Sequence, residues 1–207
     1  MKIKTKNIGI ACCFVAFILG SCGKRNFFPD ENNPGLSRLT SRGYNIATMY
    51  VNGTPYINTY KKQLLGGVAN SVPIVTLIST GSIADTLSIY WEIERNDSSS
   101  FYNQSYHSIS LLMPVPKNFT SNDFLAMTGQ RFANNNNAIT LNSFVNYPDS
   151  LHGASNIYFV KIQYINSPAT SAKAYAFSGL FDGNIGDSIS ITKGRFDFEI
   201  DASQIKF

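Results

Sequence analysis

The chain is poor in the residues that most often carry chemistry. Its 207 residues include three cysteines, two histidines and one tryptophan, and charged residues make up only 14%. The histidines, His107 and His152, lie far apart, which disfavours an imidazole metal centre. No G-x-S-x-G elbow occurs, although a triad through Ser105, Ser108 or Ser155 stays open because triads assemble in space. The cysteines are Cys12, Cys13 and Cys22, so everything beyond position 22 is free of thiols. Disulfides, thiolate catalysis and cysteine metal sites are thereby excluded from the main part of the chain. The apolar run Ile8–Leu19 has twelve residues. As a helix it would span roughly 18 Å, against a hydrocarbon core of about 30 Å, too little for a membrane crossing.

What the N-terminus does have is the pattern of an export signal. Lys2, Lys4 and Lys6 precede the apolar run, which closes on Leu19-Gly20-Ser21-Cys22. That ending resembles the lipobox of bacterial lipoproteins. The resemblance implies a diacylglycerol thioether on Cys22, cleavage between Ser21 and Cys22, and further acylation such as palmitate. Two or three acyl chains hold a protein on a bilayer durably, where one binds marginally. The expected division is a signal peptide over 1–21, a lipidated cysteine and flexible tether over 22–35, and one domain over 36–207. Removing Lys2, Lys4 and Lys6 lowers the formal charge from +4 to +1. No basic stripe for nucleic acid remains.

The domain carries the all-β signature: short runs of β-branched and aromatic residues between Gly, Asn, Ser and Pro clusters. Leu87, Ile89, Trp91 and Ile93 alternate with polar neighbours, as do Phe196, Phe198 and Ile200. Further strands are expected near 44–51, 55–61, 73–79, 106–115, 138–145, 156–165 and 173–181, with 157–165 as a central strand. Asn52-Gly53 is a strong hairpin signal. Turns are also expected at Asp182-Gly183-Asn184 and Thr192-Lys193-Gly194-Arg195, and a four-residue loop at Asn134–Asn137. One short helix is expected over 121–127, capped by Thr120 or Ser121 with Asp123 in its first turn. The fold class is an antiparallel β-sandwich, with a partly open β-barrel as the alternative.

Two stretches resemble a family of uncharacterised Bacteroidota lipoproteins. One is Leu39-Thr40-x-x-Gly43-x-Asn45 followed by Val51-Asn52-Gly53. The other is Phe177-Ser178-Gly179-x-Phe181 followed by Ile191-Thr192-x-Gly194-Arg195-Phe196-Asp197. The resemblance implies an envelope-anchored β domain with no catalytic residues to carry over, and its motifs read as structural.

Candidate sites are few. Glu92 with Glu94, and Asp197 with Glu199 and Asp201, share strand faces and are expected to be solvated outer faces rather than acid/base pairs. Asp182, Asn184 and Asp187 have oxygen ligands at spacings suggestive of Ca²⁺, but lack the bidentate glutamate of an EF-hand loop. Phe101, Tyr102 and Tyr106 in a Ser/Asn/Gln-rich stretch form a candidate glycan or peptide platform. The expected function is a non-catalytic binding or structural lipoprotein, without cofactor, held at the cell envelope or outer membrane. Both the periplasmic and the cell-surface side remain open. The alternatives are glycan or peptide capture around 101–106, an envelope-protein partner, and an envelope hydrolase.

Overall fold

The computed structural model describes residues 27–58, 60–62, 68–70, 73–79, 83–96, 106–143, 150–166 and 172–205. Ser21, Cys22, Phe101, Tyr102 and Ser105 lie outside them. The chain divides into two units, Asn26–Thr59 with Asn70–Phe207, and Met1–Arg25 with Tyr60–Ala69. In the second unit the described strands are β3 (Tyr60–Lys62) and the start of β4 (Val68–Asn70), which pair as a two-stranded sheet.

The first unit is an antiparallel β-barrel. Its strands are β1 (Ile46–Val51), β2 (Thr54–Asn58), β5 (Ile74–Ser79), β6 (Ala84–Arg95), β7 (Tyr106–Pro116), β8 (Arg131–Ser143), β9 (Ser150–Asn166), β10 (Lys173–Ile185) and β11 (Ile189–Asp201). Neighbours run β2-β1-β11-β10-β9-β8-β7-β6, and β2 pairs again with β6 to close the ring of eight. The all-β antiparallel class holds, and of the two expected closures the barrel is the one formed. β2 meets β6 at 93–95 and β5 meets it at 85–90, so β2 and β5 lie end to end along one edge of β6.

Local chemistry accounts for most boundaries. Asn52 and Gly53 adopt φ of 49° and 78°, the left-handed pair that a two-residue hairpin between β1 and β2 demands. The helix α1 (Ser121–Ala126) opens on a capping box: Asp123 Oδ2 accepts from the Thr120 amide at 2.8 Å while Thr120 Oγ1 accepts from the Asp123 amide. Its Phe124 is fully buried against Tyr175 and Phe177, with ring centroids at 5.7 and 5.6 Å.

Three turn expectations are corrected. β10 runs straight through Asp182-Gly183-Asn184, and the turn comes at 186–188. Thr192-Lys193 is a bulge inside β11, where two residues face the single Asp182 and Lys193 takes φ 52°. Asn134–Asn137 is likewise a register irregularity within β8, not a loop between strands. In each case residues that favour positive φ or irregular backbone serve a bulge as readily as a turn.

The barrel interior is filled. Trp91, Phe159, Phe177, Phe196 and Phe198 are at most 1% exposed and stack in a continuous aromatic cluster. Two inward glycines make room for it. Gly179 sits opposite Phe196, and Gly194 opposite Phe181. A Cβ on Gly179 would collide with the Phe196 ring and stand 2.7 Å from the Tyr158 carbonyl oxygen. One on Gly194 would stand 2.6 Å from the Phe181 ring and from the Phe181 carbonyl oxygen. Each strand thus lends the other a hole for its ring.

Candidate functional site

The N-terminal part of the domain folds over the outside of β11 as a clasp, and this begins earlier than the composition of 22–35 indicates. Pro29 bridges to Ser37, the Arg38 amide donates to the Phe28 carbonyl at 2.6 Å, and the Leu36 amide donates to that of Asn33 at 3.0 Å. Asp30 accepts from Asn33 Nδ2 at 2.7 Å and from Arg195 at 2.6 Å, and the same guanidinium donates to the Ser37 carbonyl at 2.9 Å. These bonds, first that from Asn33, then that from Arg195, hold the Asp30 carboxyl at about 2, below its ordinary 3.8.

Further along, Asp197 is buried, which corrects the expected solvated face for it. It accepts from Thr40 Oγ1, from the Gly43 amide at 2.7 Å and from the Arg42 amide at 3.1 Å. Asn45 Oδ1 accepts from the Glu199 amide at 2.8 Å. Gly43, at φ 73°, is what lets the loop lie against Glu199. Two stretches about 155 residues apart are therefore the two halves of one fastening.

Beside the clasp, the outer wall carries a groove of about 930 Å³, within the range of roughly 300–1,000 Å³ typical of small-molecule sites. Register explains its floor. Arg131, Tyr158, Leu180 and Arg195 form one row across β8, β9, β10 and β11. Their side chains point outward because Phe132, Ile157, Phe181 and Gly194 alternate with them toward the core. Asn156 and Asp182 extend the outward set by one row, and Asn32, Asn33 and Lys193 form the wall on the clasp side.

Arg131 lies over the Tyr158 ring at 5.3 Å, and Lys193 Nζ donates to Asn33 Oδ1 at 2.6 Å. Among the described residues neither cation is paired with a carboxylate. Arg195 Nε is buried without a hydrogen-bond partner. Asp182 Oδ1 accepts from Asn156 Nδ2 at 2.9 Å.

At Arg131–Ala133 and Ile157 the groove runs into a smaller cleft of about 190 Å³, also lined by Leu112, Met113 and Pro114. The β7–β8 pairing extends from Tyr106 to Leu111 and stops there. Pro114 and Pro116 have no amide hydrogen, so beyond Leu111 β7 cannot sustain ladders on both edges, and its pairing with β6 continues alone.

The expected sites are not assembled as such. Tyr106 is half-buried, packs against the core and meets the Tyr56 ring at 6.1 Å. Asp182 and Asn184 stand on the outer face of β10 and Asp187 in the following turn. No three His, Cys, Asp or Glu side chains gather among the described residues. His152 Nδ1 pairs with the Thr140 hydroxyl at 3.0 Å. Ser108 Oγ accepts from Asn142 Nδ2 and Ser155 Oγ donates to the Ala138 carbonyl, so none of these contacts joins serine to histidine.

Arg131 and Tyr158 belong to no motif; Leu180 and Lys193 occupy the variable positions of Phe177-Ser178-Gly179-x-Phe181 and Ile191-Thr192-x-Gly194-Arg195, and Asp182, Lys193 and Arg195 fall in stretches expected as turns rather than as a binding surface. In comparison with known proteins, no family model, no curated protein and no solved structure matches the chain.

Proposed function

We propose that the chain is a lipid-anchored cell-envelope protein that works by binding, with the wall groove as its contact surface. One observation carries the binding part of this reading. An eight-stranded barrel can hold one small ligand inside or fill itself with side chains, and here aromatic rings fill it. A concave surface large enough for a ligand lies on the outside instead, lined by an aromatic ring, amides and cations. The anchoring part rests on the run ending at Ser21-Cys22, with the outer membrane as the bilayer and either of its faces as the site of action.

Anchoring is tested by fractionation and palmitate labelling in a Gram-negative host. The native chain should label and sediment with membranes, and Cys22→Ser should do neither; equal partition of the two would refute the anchor. Binding is tested by backbone chemical-shift mapping of the full chain in detergent against a panel of oligosaccharides and peptides. Saturable shifts at Tyr158, Leu180 and Lys193 are expected. Turnover of a panel member, abolished by His152→Ala, would replace this reading with the hydrolase.

A further inference from the structure

The groove combines three kinds of surface, and the combination selects a ligand. Arg131 and Lys193 are exposed cations without a carboxylate partner among the described residues. Arg131 is also held in place, its planar guanidinium laid on the Tyr158 ring. That arrangement leaves its fork of donors free for a carboxylate, sulfate or phosphate. The second kind is amide. Asn33 is committed to Asp30 and Lys193, whereas the Asn32 side chain and Asn156 Oδ1 have no partner among the described residues. They supply both donor and acceptor capacity at the groove edge. The third is apolar: Leu180, 40% exposed, lies on the floor beside Tyr158.

Hydroxyl-rich ligands need paired donors and acceptors, their CH faces need an apolar floor, and an acidic substituent needs the cations. We infer that the groove takes an anionic oligosaccharide, with Arg131 and Lys193 contacting its acidic groups, Asn32 and Asn156 its hydroxyls, and Tyr158 acting as the positioning residue for Arg131.

An acidic peptide shares the charge but fits the rest poorly. Extended peptides gain affinity by adding a strand to a free sheet edge. Across the groove floor β8, β9, β10 and β11 are already paired with one another. A peptide lying across this floor would be left with side-chain contacts alone, and the edge of β8 left open at Arg131–Ala133 faces only the smaller cleft of about 190 Å³, below the roughly 300 Å³ of a ligand site.

The inference rests on the reading of the groove as the binding surface, and the test separates the two. The full chain in detergent is titrated with tetragalacturonate, maltotetraose and tetraglutamate, reading affinity by calorimetry and location by backbone shifts. Tetragalacturonate should bind at Tyr158, Leu180 and Lys193. Losing one charge-assisted hydrogen bond should weaken it about tenfold in Arg131→Ala and in Lys193→Ala. Arg131→Lys should recover only part of the loss, and raised salt should weaken binding. Tyr158→Leu should lower affinity for tetragalacturonate while leaving any maltotetraose response unchanged, which a merely structural role would not do.

Both alanine positions are exposed, so a preserved thermal midpoint shows that the fold is intact. Equal binding of maltotetraose, or of tetraglutamate, overturns the inference while leaving the groove a binding surface. Silence of all three probes at the groove overturns both.

Discussion

Substituting Gly179 by alanine tests whether the barrel core is built on reciprocal holes. The added methyl would meet the Phe196 ring and the Tyr158 carbonyl oxygen, the latter at 2.7 Å. Neither can retreat easily. The carbonyl is strand backbone, and the Phe196 ring is packed by Phe159 at 5.8 Å, Phe177 at 6.0 Å and Phe198 at 5.7 Å between centroids. Overpacking of a tight core costs about 1–3 kcal/mol, and a site closed on both sides belongs at the upper end.

Unfolding in urea can be followed through Trp91, the only tryptophan in the sequence, which is buried against these rings. With a denaturant slope of about 2 kcal/mol per molar, the midpoint should fall by roughly 1.5 M. A shorter ring opposite should relieve part of the strain, so Gly179→Ala with Phe196→Leu should destabilise less than the two changes summed, by about 1 kcal/mol. A midpoint unmoved in Gly179→Ala, or strict additivity in the double variant, would refute the reciprocal packing.

Two further predictions concern the clasp. The Asp30 carboxyl sits at about 2 in the fold against an ordinary 3.8. Its contribution is therefore complete above pH 4 and fades as pH falls from about 4 toward 2. Protection of the Leu36 amide, with its exchange corrected for the intrinsic pH dependence of amides, should fall as pH is lowered across that window in the native chain and stay flat in Asp30→Asn; unchanged native protection would count against the ion pair. Asp197→Ala leaves the Arg42 and Gly43 amides without their acceptor. It should cost about 2–3 kcal/mol and speed exchange at those two amides, and unchanged exchange there would contradict the bonding described.

The strand inventory was legible because burial imposes period two, as Leu87, Ile89, Trp91 and Ile93 illustrate. Asn52-Gly53 and Thr120 were legible because their chemistry is local. Closure was not. Sandwich and barrel share the same alternation, and what separates them is a pairing of Tyr56–Asn58 with Ile93–Arg95 that no residue announces.

Asp197 was misread for a related reason. Its outward parity on β11 was right, but the loop that covers it comes from 155 residues away. Gly194 belonged to a stretch expected as a turn and Gly179 to an expected strand, whereas both serve as space for the rings across the ladder. The groove draws on four strands and a loop, and became visible only once register had aligned Arg131 with Tyr158, Leu180 and Arg195.

The clasp also settles where mechanical tension entering from the N-terminal side would first be felt. Along that line the earliest fastenings among the described residues are the Phe28–Arg38 backbone bond and the Asp30–Arg195 pair, ahead of the barrel ladders. Asn32 and Asn33 hang on the same short segment, so a pull sufficient to slip it would carry away one bank of the groove while the barrel behind it stayed whole.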